Sequence, residues 1–141
     1  MLRYRVDGCG ALVIPDYAGA GRADGLWRTT CFEMFLKDCS SAYFEFNFSP
    51  SGRWASYAFQ SYREAVGQPE LAATPAIAWD KGPEIFVLTV FLATADVLGA
   101  ERAGFSAVLE ESGGQISYWA LAHPEGKPDF HDAACFAARL G

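Results

Sequence analysis

The sequence predicts an all-β fold: a jelly-roll-like antiparallel β-sandwich with at most one or two short helical turns. Three observations predict it. Gly and Pro punctuate the chain often, at Asp7-Gly8, Asp24-Gly25, Ser49-Pro50-Ser51-Gly52, Lys81-Gly82-Pro83 and Ser112-Gly113-Gly114. The runs between these breaks are short and rich in β-branched and aromatic residues, the pattern of strands joined by turns. One of them, Tyr43-Phe44-Glu45-Phe46-Asn47-Phe48, alternates cleanly, with Phe44, Phe46 and Phe48 on one face.

Taken in order, strands are expected at 2–6 and 10–14, either side of Asp7-Gly8. A hairpin is expected from 29–37 and 42–48, followed by a strand at 53–60. The stretch 61–74 reads as a long loop. Strands at 75–79 and 84–92 flank Lys81-Gly82-Pro83. The second of these holds Ile85-Phe86-Val87-Leu88-Thr89-Val90-Phe91-Leu92, apolar on both faces and suited to a central strand. Thr94-Ala95-Asp96-Val97-Leu98 suits a helical turn with Thr94 as N-cap and Gly99 as its stop. Strands at 104–111, 115–121 and 134–140 complete the set, and many short strands with little helix point to a sandwich.

A chain of 141 residues forms one domain, here residues 1–141. Surface scaling gives roughly 7,000 Å² of folded surface against roughly 22,000 Å² extended, enough burial for one core. At 51% hydrophobic and 20% charged residues the chain is not intrinsically disordered. Eleven Lys and Arg against seventeen Asp and Glu leave a net charge of −6. Such a surface repels phosphate, so nucleic acid and anionic membrane are excluded as partners. No apolar run reaches the ~18 residues of a membrane span, and the start has no signal-peptide core; a cytoplasmic location is expected. Cys9, Cys31, Cys39 and Cys135 form no CxxC pair, so a zinc ribbon is not expected. Free thiols are the default without a signal peptide, and disulfides in an exported protein are the alternative.

The chemistry concentrates on one face of the 29–37/42–48 hairpin. With a turn centred near Cys39, Glu33 faces Glu45 and Phe35 faces Tyr43. Phe32, Met34 and Leu36 then join the three Phe on the core face. The other face carries Cys31, Glu33, Phe35, Tyr43, Glu45 and Asn47. Two carboxylates opposed across strands repel. A ligand, a proton shared between them, or a nearby Arg (Arg28, Arg53 or Arg63) relieves that repulsion. The plain alternative is a solvated face with two unrelated acids. Trp27, six residues before Glu33, and Trp119 are expected to flank this floor as a slot for a flat ring. Sugars fit such a slot, since C–H faces stack on indole and hydroxyls bond to acids and amides. The sites predicted are therefore Trp27, Glu33, Glu45, Asn47 and Trp119, with Arg28, Tyr57, Arg63 and His123 at the rim. Trp54 and Trp79 are assigned to the core.

Several motifs then become familiar. Leu26-Trp27-Arg28-Thr29-Thr30-Cys31-Phe32-Glu33 is followed by Phe44-Glu45-Phe46-Asn47-Phe48-Ser49-Pro50-Ser51-Gly52-Arg53-Trp54. Ser117-Tyr118-Trp119-Ala120-Leu121-Ala122-His123-Pro124, Lys127-Pro128-Asp129-Phe130-His131 and Cys135-Phe136-Ala137-Ala138-Arg139-Leu140 come later. Together they resemble a bacterial group of DOMON-like domains, over nearly the whole chain except 64–84. The resemblance implies a jelly-roll-like sandwich in the superfamily shared by DOMON domains and family 9 carbohydrate-binding modules, whose members bind sugars or heme. It implies a saccharide stacked between two Trp with a Glu shortly after the first, the pattern that Trp27, Glu33 and Trp119 match. Glu45 departs from it, since the modules tend to carry Arg there. The resemblance also implies a further strand ahead of Leu2-Arg3-Tyr4-Arg5, where this chain starts. A truncated start and a missing edge strand both fit, and an uncovered edge would invite a homodimer.

Other chemistries use the same residues. Heme would take axial ligands from Met34, His123 and His131, although parity puts Met34 on the core face. A metal would use His123, His131 and Asp129 or Cys135, at a spacing that matches no strong motif. Catalysis would use Glu33 and Glu45 as a glycosidase pair, or His123 and Asp129 with a loop serine. There is no GxSxG elbow and no P-loop Lys. A non-catalytic domain binding a small ligand, above all a carbohydrate, is the expectation. A heme-binding or redox-associated DOMON domain and a protein-interaction module are the alternatives.

Overall fold

A computed structural model describes residues 1–141. Two sheets pack face to face as a β-sandwich, built from eleven strands and four single 3-10 turns. The small sheet has three antiparallel strands: β1 (Leu2–Asp7) at one edge, β8 (Ile85–Phe91) in the centre and β7 (Ala76–Lys81) at the other edge. The large sheet runs β10 (Ile116–Ala120), β9 (Arg102–Glu110), β3 (Cys31–Lys37), β4 (Tyr43–Phe48), β5 (Arg53–Ser61) and β2 (Gly21–Arg22). Two short strands attach to it, β6 (Glu64–Gly67) on β5 and β11 (Ala138–Arg139) on β9. All pairs are antiparallel except β2 with β5.

The core between the sheets follows the alternation. Phe32, Met34 and Leu36 of β3 and Phe46 and Phe48 of β4 meet Phe86, Leu88 and Val90 of β8. Phe32 stacks on Phe86 at 5.7 Å between ring centres and tilts against Tyr4 at 5.1 Å. The Tyr4 hydroxyl crosses the sandwich and donates to the Glu33 carbonyl at 2.7 Å. Only alternate residues of β8 are buried, because its outer face is bare. Phe44 shares the core-side parity but is half-exposed, since three strands cannot cover all of the large sheet.

The large sheet is covered on its outer face as well. Phe35, Tyr43, Phe59, Val108, Phe130 and Phe136 form a second core there. Phe130 and Phe136 come from the chain after β10, which folds back over the sheet. That explains why six consecutive residues of β3 are buried: β3 is sandwiched twice.

Several expected elements differ. The segment 10–14 is not a strand; Gly8, at φ 71, turns the chain into a 3-10 turn at Cys9–Ala11. The segment 134–140 keeps only β11, because Asp132 caps a 3-10 turn at Ala133–Cys135 by accepting from the Ala134 N–H. The expected loop 61–74 contains β6. The 3-10 turn at Thr94–Asp96 is preceded by Ala93 without a side-chain cap, so Thr94 is inside the turn rather than its N-cap. Gly104, in the middle of β9, leaves room for the Cys135 carbonyl, which would lie 2.9 Å from an added Cβ. All four cysteines are free; Cys9, Cys31 and Cys135 are buried and Cys39 is exposed. Trp54 packs partly buried against the core. Trp79, expected there too, is 42% exposed on an edge strand and donates to the Pro50 carbonyl. No helix is long and apolar enough to cross a membrane.

Candidate functional site

The β3/β4 register sets the floor of the site. Glu33 lies opposite Asn47, and Phe35 opposite Glu45. The expected Glu33–Glu45 pairing is thus off by one residue pair. The turn centres on Ser40, not Cys39, because the Asp38 carboxylate accepts from the Ser40 N–H and the Ser40 hydroxyl from the Ala42 N–H. Parity is unchanged, so both carboxylates still project from the outer face, as diagonal neighbours. That face is not solvated: Glu33, Glu45 and Asn47 are all buried.

Above them opens a hollow of about 680 Å³. Its floor is Glu33 and Glu45; Trp27 and Tyr118 stand at its mouth, with Arg28, Tyr57 and Arg63 around it. Six predicted residues therefore line one space. Gly25, left-handed at φ 70, starts the 3-10 turn Leu26–Arg28 that lifts Trp27 over the sheet. The Trp27 indole is half-exposed, with the Arg28 guanidinium 5.7 Å from its ring centre. Arg63 sits in the turn between β5 and β6 with φ 56, unusual for a side-chain-bearing residue. Its backbone N–H bonds to the Tyr43 hydroxyl at 3.0 Å and its guanidinium to Asp129 at 2.7 Å. The backbone turn thereby delivers the guanidinium to the rim.

Tyr43 links the rim to the floor. Its oxygen accepts from the Arg63 N–H and its hydroxyl shares a hydrogen bond with His131 Nδ1 at 2.8 Å. His131 Nε2 faces Glu45 Oε2 at 3.5 Å. Burial, with Arg63 adding to it, pushes the His131 pKa down to about 4, so the imidazole is neutral. With the imidazole neutral, the contact with Glu45 is not an ion pair. Asn47 Nδ2 donates to Glu45 Oε1 at 2.9 Å.

Burial raises the pKa of both acids, Glu33 to about 8. Glu45 adds to the rise at Glu33, and the Ser106 hydroxyl, 3.4 Å away, opposes it weakly. At Glu45 the Asn47 amide and the Arg63 charge counter the rise. Of the two, Glu33 holds its proton the more strongly, since the Glu45 charge raises it further while Asn47 and Arg63 favour an ionised Glu45. Asn47, directly opposite Glu33, keeps its Oδ1 buried and without a donor. At the rim, burial works against Asp129, but bonds from Tyr62 and Arg63 hold its pKa low. Asp24 is held low by Tyr57, whose hydroxyl donates to it at 2.6 Å, and by Arg22.

Three predicted residues fall outside the hollow. Asn47 is beneath its floor. His123 is exposed beside Phe130, 6.1 Å between ring centres, and does not line it. Trp119 pairs with Ala107, a residue of the inter-sheet core, and so lies on the inner face of the large sheet. Tyr118 pairs with Val108 of the outer core and takes the place at the mouth expected for Trp119. The two indoles do not flank the carboxylates.

Phe130 was not expected from sequence, and His131 and Asp129 were considered only for heme, metal or catalysis, not for this hollow. Their signal was the polar, proline-stiffened stretch 122–131, the one segment holding both histidines. Met34 is buried in the inner core while His131 is on the outer face. Met34 and His131 therefore cannot ligate the same heme. No group of three or more His, Cys, Asp or Glu side chains is placed to hold a metal ion. No family model matches the chain, and neither a curated protein nor a solved structure is significantly similar to it.

Proposed function

We propose that the chain is a non-catalytic binding domain for a neutral, hydroxyl-rich small molecule, above all a carbohydrate, held in the hollow over Glu33 and Glu45. The carrying observation is the unequal acid pair beneath an aromatic mouth. Glu33 as a carboxylic acid donates and accepts; Glu45 as a carboxylate accepts only. A hydroxyl also donates and accepts, so vicinal hydroxyls satisfy both groups. An anionic ligand would meet Glu45, and since Arg22 and Arg63 are already paired with Asp24 and Asp129, only Arg28 would favour it. A cation would favour ionisation of Glu33 and work against its burial. Trp27 and Tyr118 offer ring faces for sugar C–H groups, in place of the paired indoles implied by the DOMON and family 9 resemblance.

Intrinsic fluorescence titrated with neutral mono- and oligosaccharides tests the reading. A shift that saturates and disappears in Trp27→Ala, but persists in Trp119→Ala, is expected. No shift from any sugar at about millimolar concentration contradicts it. Turnover of a chromogenic glycoside that is lost in Glu33→Gln would instead make the acid pair catalytic.

A further inference from the structure

Two features coincide on the side of the sandwich away from the carboxylate hollow. β1 is an edge strand: it pairs with β8 on one side and with nothing on the other. Beside it, β9 and β10 extend past the small sheet and leave a slot of about 550 Å³ between the two layers. Its walls are mostly apolar, with Tyr4 and Val6 from β1, Phe105, Ala107 and Leu109 from β9, and Trp119 from β10; Arg5, Asp7 and Glu111 also line it. The Trp119 indole is 61% exposed although it projects from the core-side face of its sheet. Its N–H is fixed by the Ser117 hydroxyl at 2.9 Å.

We propose that β1 accepts an extended peptide from another protein as a fourth strand of the small sheet. An unpaired edge is a template for strand addition, and alternate side chains of the added strand reach alternate faces. Its inward side chains would be apolar and fill the slot against Trp119. A compact apolar molecule could fill the same slot but would leave the edge N–H and C=O groups unpaired.

Charge specifies the outward side chains. Arg3 and Arg5 project from the solvent face of β1, where alternate residues are exposed. Arg5 is paired with Asp7 at 2.8 Å, and Arg3 has no ion pair. Acidic residues opposite Arg3 and Arg5 therefore complement this edge, with a neutral residue opposite Asp7. A second copy of the chain fits this edge less completely. Antiparallel self-pairing that keeps apolar faces together sets Arg3 against Arg5 twice in one register; in the other it sets Arg5 against Arg5, with Arg3 facing Asp7 on either side. Only an acidic strand meets both arginines with opposite charge.

A fluorescein-labelled peptide of about six residues, matched to β1 in length and alternating Val and Glu, is the probe. Fluorescence anisotropy with the intact chain is expected to show saturable binding, about ten-fold tighter than for the Val/Lys peptide. Arg3→Glu should reverse that preference. N-methylation of alternate peptide amides should weaken binding about ten-fold, and β1 amides should exchange more slowly in the complex. Trp27→Ala should leave all of this unchanged, which separates the outcome from the sugar reading. Equal binding of the two peptides, indifference to Arg3→Glu, or no binding overturns the proposal. So does self-association of the chain in the same concentration range, which would give the edge to a second copy.

Discussion

Glu33 retains its proton to about pH 8 because it is buried beside Glu45, and this has a measurable sign. Unfolded, a Glu titrates near 4.3. Between that value and about 8 the folded chain holds a proton that the unfolded chain has lost, so stability falls as pH rises. His131 acts oppositely, since its folded pKa of about 4 lies below the unfolded ~6.5, and its contribution grows with pH between those values. Above ~6.5 the His131 effect is complete. From pH 6.5 to 8 stability should therefore decline, with a Glu33 contribution of at most about 1.4 kcal/mol per pH unit. Glu33→Gln, which mimics the neutral acid, should flatten this slope. Urea unfolding at several pH values across the window checks it; an unchanged slope would show that Glu33 is ionised in the folded chain. Tyr43→Phe is a second residue-scale test. It keeps the ring stacked on Phe59 but leaves the Arg63 N–H and His131 Nδ1 without their partner. A loss of about 1–3 kcal/mol is expected, read from the same unfolding curves.

Among the elements, the hairpin β3/β4 was legible and its register was not. Alternation placed Glu33, Glu45 and Asn47 on one face, because a strand's period is two whatever its pairing. The pairing itself depends on the turn, and the side-chain bonds of Asp38 and Ser40 moved its centre by one residue. Parity of β10 was the larger loss. Trp119 and Tyr118 are both aromatic and neighbours in sequence, so only the pairing with β9 decides which faces the carboxylates. The 122–136 segment was also opaque, since its covering role rests on Phe136 packing on distant Phe35 and Tyr43 and on Phe130 packing beside Tyr118. That role predicts that Phe130→Ala costs about 3–5 kcal/mol, as for a core residue, although Phe130 lies outside every strand. A thermal scan checks it; a cost under about 1 kcal/mol would mean that the outer face is only loosely covered. Gly104→Ala should also destabilise, because its Cβ would press on the Cys135 carbonyl that closes this layer.

For the molecule as a whole, the sandwich was legible from short strands, frequent turns and aromatic content. Its asymmetry was not: a three-stranded layer faces an eight-stranded one. That mismatch gives the large sheet two kinds of cover. On the outer face, a folded-back segment buries two carboxylates and leaves a polar hollow. On the inner face, β9 and β10 extend past β1 and leave an apolar slot. Expected as two halves of one pocket, Trp27 and Trp119 instead mark these two separate surfaces.

The most direct measurement follows the four tryptophan indole N–H signals in a nitrogen–proton correlation spectrum during titration with a neutral oligosaccharide. The Trp27 signal should move with saturation while that of Trp119 stays in place, and Glu45→Gln should weaken the response. Movement of Trp119 with Trp27 unaffected, or of neither, would contradict a sugar site over the acid pair.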